Sequence, residues 1–297
     1  MEMHRIRSLL SLLIPMLLAG LLASCASNPA TSPAKQQEPL DKLEHQAAVA
    51  FEKGNTSDAL YYYQQILSRS SGNRLALIRS GQLYLNNGLY EPAERHFEEA
   101  LKQDPLDVDA LEGAAISQVN LRKFSSAKIH FEKVISLDEN RWNTWNGLGV
   151  LADLESDYPK AVKYYQKGLQ ILPNYPVLLN NLGYSLIMAH RYSEAEKVLR
   201  SALSHTPYFD NRLRNNLGIA LAWQGNYQEA INTVGSIYNE AIAYNNIGYI
   251  ALLNGKYETA IEYFETAMKL SPSYYQRAAI NLEKAQQLWA SKSTGTK

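Results

Sequence analysis

Asparagine side chains recur along the second half of the sequence, singly or as neighbouring pairs, and large side chains follow them one and two helical turns later. The residues in this row are Asn146, Asn180, Asn181, Tyr184, Met188, Asn215, Asn216, Ile219, Trp223, Asn245, Asn246 and Tyr249. Each asparagine offers two donors and an acceptor, so a row of them can hydrogen-bond the backbone of an extended peptide of any sequence. Tyrosine and tryptophan add apolar area with a polar tip. The row therefore predicts a groove for a peptide or protein partner. The alternative is that these amides bond neighbouring helices of the chain itself.

Patterns typical of a catalytic centre are missing from the sequence. The six histidines are scattered over separate stretches, and none lies in an HExxH pattern: His4, His45, His96, His130, His190 and His205. The chain has no glycine-rich phosphate loop and no GxSxG, and its single cysteine is Cys25. We therefore expect a protein that is not an enzyme and that has no metal, cofactor or small-molecule substrate.

Cys25 follows a leader with the three parts of a secretory signal. Residues 1–24 begin with positive charge, continue as an apolar run too short to span a membrane comfortably, and end in small residues. The run Leu-Ala-Ser-Cys at the end resembles the processing box of bacterial lipoproteins. That resemblance implies cleavage before Cys25 and covalent attachment of a diacylglycerol and an acyl chain to it. Ala26 stands where an inner-membrane retention signal places Asp, which implies the periplasmic face of a Gram-negative outer membrane.

Behind the lipidated cysteine, the linker that ends at residue 39 has three prolines and no large apolar side chain, which predicts an unfolded spacer.

The charge composition narrows the class of partner. Over the whole chain, 29 basic residues balance 29 acidic ones. This balance argues against a nucleic-acid-binding surface and against an extended electrostatic membrane patch. We expect protein partners, and membrane contact only through the lipid.

A period of thirty-four residues organises the chain after residue 39. Its marker is an alanine that recurs at that spacing as Ala59, Ala93, Ala127, Ala161 and Ala195. Apolar residues at i, i+3, i+4 and i+7 predict two amphipathic helices in each period. Glycine suits the turn between them, and proline ends the second helix.

These positions resemble the tetratricopeptide repeat family over residues 40–274. The resemblance implies an all-α, right-handed superhelical solenoid of seven helix-turn-helix repeats, then a capping helix at 275–290 and a disordered tail at 291–297. In this family the first helix of each repeat lines the concave face and presents its second, fifth, sixth, ninth and thirteenth residues to a ligand. The asparagine row occupies such positions. No Lys or Arg stands at the fifth or ninth position of the seven repeats, so the basic clamp that some members use on C-terminal carboxylates is not carried over.

The sixth repeat differs from the others in length. Asp210 is an extra residue before it, and only thirty residues separate Ala230 from Ala260. About one helical turn is therefore missing between Val234 and Asn239. This predicts a local change in the pitch of the solenoid, unless the deletion is neutral.

The chain also resembles the TadD family of tight-adherence (Flp) pilus assembly lipoproteins. The resemblance lies in the leader, in the seven repeats and in the amino-acid sequence of the last two repeats. That resemblance implies a non-catalytic outer-membrane scaffold that assembles or localises the secretin and its pilus machinery through protein contacts. Two alternatives share the repeats and the lipid. One is a pilotin of a type IV pilus or type II secretion system, and the other is an adaptor that recruits peptidoglycan hydrolases or proteases.

Overall fold

The computed structural model describes residues 38–205, 211–271 and 275–294, and the described residues form fifteen α-helices and no strand. None of these helices is long and apolar enough to cross a membrane. In chain order they are α1 (Leu40–Glu52), α2 (Thr56–Arg69), α3 (Arg74–Asn86), α4 (Tyr90–Gln103), α5 (Val108–Asn120), α6 (Phe124–Leu137), α7 (Trp142–Leu154), α8 (Tyr158–Ile171), α9 (Pro176–Met188), α10 (Tyr192–Ser204), α11 (Asn211–Trp223), α12 (Tyr227–Gly235), α13 (Glu240–Leu253), α14 (Tyr257–Leu270) and α15 (Gln276–Thr294).

The helices from α1 to α14 form seven pairs, each packed against the next, as expected of an all-α solenoid of repeats. The first helix of each pair contacts its partner and, from the second pair on, the second helix of the preceding pair. From α3 onward, each first helix also contacts the next first helix, and α13 contacts α15 in the same way. Within the described residues the second helices do not contact one another. The first helices therefore form the inner layer, and side chains on their free side line a shared surface.

Small residues let the two helices of a pair approach closely. The marker alanine of the second helix is fully buried in all seven pairs, for example at Ala161 and Ala260. On the first helix, a Cβ added at Gly149 would lie 2.5 Å from the Tyr165 ring, and one added at Gly183 would lie 2.6 Å from Leu199. A large side chain of the second helix thus fills the space that glycine leaves, which explains the alternation of small and large residues in the repeat.

The turns between paired helices keep one backbone shape with different residues. Gly54, Gly88, Gly225 and Gly255 have φ between 70° and 86°. In the third, fourth and fifth pairs, Arg122, Ser156 and His190 hold the same position at 60–61°. Because residues with a Cβ are strained in this left-handed region, these three turns are held by the packing around them.

The sixth pair is shortened in its second helix. Helix α12 has 9 residues, against 13 or 14 in the other second helices, and α13 begins five residues after α12 ends. The missing turn therefore lies where the sequence predicts it, between Val234 and Asn239. Asp210, the extra residue before this pair, lies outside the described residues.

The last helix is longer than the sequence predicts. Helix α15 runs to Thr294, so residues 291–294, expected as part of a disordered tail, are helical. No glycine or proline interrupts the helix before Gly295, which is the physical reason for the longer helix. Residues 295–297 lie outside the described part. So do the leader, Cys25 and the linker up to residue 37.

Candidate protein-binding face

The twelve side chains of the predicted row lie on the four inner-layer helices α7, α9, α11 and α13. Counted from the first residue of each repeat (Trp142, Pro176, Asn211 and Ala241), the asparagines occupy the fifth position, the sixth or both, and the large side chains of the row occupy the ninth or thirteenth. These positions are one or two turns apart, so they share one face of the helix. The sequence therefore identified a continuous strip of the inner layer.

Four asparagines of the fourth, fifth and sixth pairs are joined by hydrogen bonds. Asn181 donates to the amide oxygen of Asn146 at 2.9 Å, and Asn216 donates to that of Asn180 at 3.1 Å. Asn180 donates to Asn181 at 3.3 Å, which links the two cross-helix bonds into one ladder. The alternative interpretation of the row is thus realised for these amides, which join neighbouring first helices.

The same ladder resumes at the end of the array. Asn245 is only 2% exposed and donates to the amide oxygen of Asn246 at 3.2 Å. Asn281, on α15, donates to Asn245 at 3.0 Å. Asn281 lies outside the predicted row because the sequence of α15 predicts only a polar-backed cap. The hydrogen bond shows that α15 stands as an eighth first helix, with Asn281 at its sixth position.

One rung of this ladder is open. In the closed rungs, the asparagine at the sixth position donates to the asparagine at the fifth position of the preceding first helix. By that rule Asn246 would donate to Asn215. No such bond forms, and across the described residues Asn215 has no side-chain hydrogen bond, while Asn246 only accepts one from Asn245.

A cavity of about 520 Å³ lies at this open rung. The side chains that line it come from α11, α12, α13 and α15, namely Asn215, Ile219, Val234, Asn245, Asn246, Ile247, Tyr249, Ile250, Arg277 and Asn281. Val234 is one residue from the end of α12. The cavity thus lies beside the shortened helix, where the other second helices have a further turn.

The large side chains of the row differ in how much of their surface is exposed to solvent. Tyr184, Met188 and Tyr249 are exposed. Ile219 is half-buried against the core. The indole of Trp223 is stacked on the Tyr192 ring, 5.4 Å between centroids with the planes 4° apart. One face of Trp223 is therefore occupied by the protein, whereas the three exposed side chains can contact a partner.

Helix α15 places one cation in the lining of the cavity and a second beside it. Arg277 lines the cavity, is exposed, and has no acidic partner in the described part of the chain. The ammonium of Lys284 lies 6.0 Å from the centroid of the Tyr249 ring, at the outer limit of a cation–π contact. In the register set by Asn281, these cations occupy the second and ninth positions of an eighth first helix.

Two carboxylates in the inner layer have structural roles. Asp153 accepts hydrogen bonds from the Ser185 hydroxyl at 2.6 Å and the Tyr165 hydroxyl at 2.8 Å, and burial raises its pKa. Burial also raises the pKa of Glu112, which accepts a hydrogen bond from the Thr144 hydroxyl at 2.6 Å. Each carboxylate ties two consecutive first helices together. Within the described residues, no group of three or more His, Cys, Asp or Glu side chains is arranged to hold a metal ion.

Models of one protein family match most of the chain. Four models described as "Tetratricopeptide repeat" match residues 50–115 and 154–211, residues 112–176, residues 212–232 and residues 241–274. The last range is the seventh helix pair with the residues that follow it.

Relatives and solved structures agree with the family models. A TPR repeat-containing protein of Methanocaldococcus jannaschii is 24% identical over 270 residues, which are 81% of this chain and 46% of that protein. The chain spans less than half the length of the first curated relatives it matches. The structure of the C-terminal part of a TPR repeat-containing protein from Cytophaga hutchinsonii matches with a TM-score of 0.60 and 17% identity, covering 81% of this chain and 99% of that one. YrrB, a TPR protein with an unusual peptide-binding site, matches with a TM-score of 0.51 and 21% identity, covering 62% of this chain and 95% of that one.

Proposed function

Because the chain belongs to the tetratricopeptide repeat family, whose repeats form protein-interaction scaffolds, we propose that it is a lipid-anchored, non-catalytic scaffold of a tight-adherence (Flp) pilus secretion system. Its partner would be the secretin or another assembly component. The observation that carries the interaction role is the inner-layer strip, where exposed Tyr184, Met188 and Tyr249 accompany the cavity at the open rung.

The proposed anchor rests on Cys25 and the residues before it. A diacylglycerol together with an acyl chain holds a protein at a membrane durably, since each buried methylene contributes about 0.8 kcal/mol and a single chain holds only marginally. Anchoring at the periplasmic face of the outer membrane would place the repeats beside an assembling secretin. Labelling cells with radioactive palmitate tests this anchor. The native chain should incorporate label and Cys25→Ser should not, and labelling of the variant would refute the assignment.

The assembly role is tested by deleting the gene and following secretin multimers in outer-membrane fractions. We expect multimers and surface pili to be lost and to return with the native chain, but not with Cys25→Ser. Loss of multimers from a type IV pilus or type II system instead would identify a pilotin. Normal multimers and normal piliation would favour the adaptor for peptidoglycan hydrolases or proteases.

A further inference from the structure

We propose that the cavity at the open rung binds an extended, acidic segment of a partner polypeptide, with Asn215 and Asn246 bonding its backbone and Arg277 and Lys284 facing its carboxylates. This inference rests on the protein-binding part of the proposed function. It adds the chemistry of the occupant and the residues that select it.

The open rung indicates a backbone ligand. Asn215 leaves its amide oxygen without a donor, and Asn246 leaves its amide N–H groups without an acceptor, and both side chains line the cavity. A peptide group carries one N–H and one C=O, so a single peptide unit between the two asparagines would satisfy both. Closed rungs lie on either side of this position, at Asn180–Asn216 and at Asn245–Asn281. The recognition is therefore local to this cavity.

The rest of the lining indicates which side chains the segment carries. Ile219, Val234 and Ile250 supply an apolar wall, and none of the ten lining residues is acidic. Arg277 is the charged group among them, and its guanidinium can hold a carboxylate with two parallel hydrogen bonds. The charge of the cavity thus complements an acidic ligand.

The spacing of the two cations favours an internal acidic segment over a lone chain terminus. Arg277 and Lys284 are seven residues apart on α15, which places them on the same face with a separation of about 10 Å along the helix. One terminal carboxylate cannot contact both. An extended segment with an acid at every second residue presents a row of carboxylates about 7 Å apart on one side, within reach of two long, flexible side chains. Tyr249, which lies between the rung and Lys284, would contact an apolar part of the segment.

The test is calorimetric titration of the full chain in detergent with synthetic peptides. The probe is the octapeptide Ser-Glu-Leu-Glu-Leu-Glu-Leu-Ser, acetylated and amidated, and its matched control carries Gln in place of Glu. We expect the Glu peptide to bind about ten times more tightly than the Gln peptide, as one charge-assisted contact requires. Arg277→Gln should weaken the Glu peptide by a similar factor and leave the Gln peptide unchanged.

Two further variants separate backbone recognition from charge. Asn215→Ala should weaken both peptides equally, because it removes a bond to the backbone. Lys163→Gln, which removes an exposed cation on α8, should change neither. All variants are checked by circular dichroism, and Arg277 is exposed, so its replacement leaves the core intact.

Several results would overturn the inference. Equal affinity for the Glu and Gln peptides would refute acid selection while leaving a peptide-binding groove in place. If a Gln peptide with a free C-terminus binds more tightly than the capped Glu peptide, the site takes a chain end. If neither peptide binds and secretin multimers still depend on the protein, the cavity is refuted and the proposed function stands. If the peptides bind as expected but multimers are normal in the deletion strain, the site stands and the secretin role fails.

Discussion

Replacing Asn180 and Asn216 by alanine, singly and together, tests whether the asparagine ladder holds the inner helices to one another. The hydrogen bond between them is 3.1 Å long and joins α9 to α11. The matched pair is Asn215 and Asn246, which hold the equivalent positions one helix further on and make no bond to each other. The two pairs therefore differ in the presence of the rung.

The expected energies follow from two opposing terms. A net hydrogen bond contributes about 1 kcal/mol to the free energy of unfolding. Replacing asparagine by alanine in a helix returns up to about 0.7 kcal/mol through the higher helix propensity of alanine. Single variants at the closed rung therefore understate the free energy that its hydrogen bond contributes. Asn215→Ala, at the open rung, should be neutral or slightly stabilising. In a double-mutant cycle the propensity terms cancel, so the coupling energy should be about 1 kcal/mol for Asn180 and Asn216 and near zero for Asn215 and Asn246.

Urea unfolding followed by circular dichroism gives the free energies for both cycles. Hydrogen exchange at α9 and α11 serves as a second readout, because repeat arrays can unfold in parts and a single global value then misleads. Equal coupling energies for the two pairs would refute the distinction between closed and open rungs. A coupling energy near zero for Asn180 and Asn216 would show that the ladder does not stabilise the array.

Three further outcomes test the packing and charge of the array. Ser156 holds a φ of 61°, so Ser156→Gly should raise the free energy of unfolding by about 1 kcal/mol in urea titrations, and a destabilised variant would contradict the strain argument. Gly149→Ala would place a Cβ 2.5 Å from the Tyr165 ring; we expect a loss of about 1–3 kcal/mol, and an unchanged melting temperature would contradict this packing. Burial raises the pKa of Glu112, so the folded chain keeps a proton that the unfolded chain has lost, and the stability from this group falls as pH rises through the raised pKa. Glu112→Gln keeps an acceptor for Thr144 and removes this fall in stability. The melting temperature of the variant minus that of the parent should therefore increase from about pH 4 to about pH 7. A decrease in this difference would contradict the direction of the pKa shift.

The ladder of asparagines shows where sequence reasoning stops. All of its residues except Asn281 were identified from the sequence, which left open whether their amides face a ligand or one another. The bonded asparagines are 35 or 36 residues apart in the chain. Whether they bond depends on a few tenths of an ångström and on the angle between their two helices. Spacing along one helix does not contain that information. In the structure six of the seven asparagines of the row are bonded internally, and one rung is left open.

The cations in and beside the cavity were missed for a related reason. Arg277 and Lys284 lie on α15, which the sequence presents as a polar-backed helix at the end of the array. Its register with the other first helices becomes visible only through the bond from Asn281 to Asn245. Once that register is known, Lys284 stands at a ninth position, where the seven repeats have no Lys or Arg.

The sequence by itself determined the all-α repeat fold, the pairing of the helices, the shortened sixth pair and the strip that carries the row. It could do so because each repeat buries its apolar stripe against immediate neighbours, and such local packing leaves a period that can be read directly. The tertiary structure alone decided which asparagines bond each other, where the cavity opens and which cations reach it. These features arise where helices of neighbouring repeats meet, and their geometry depends on small displacements between helices that no spacing rule records.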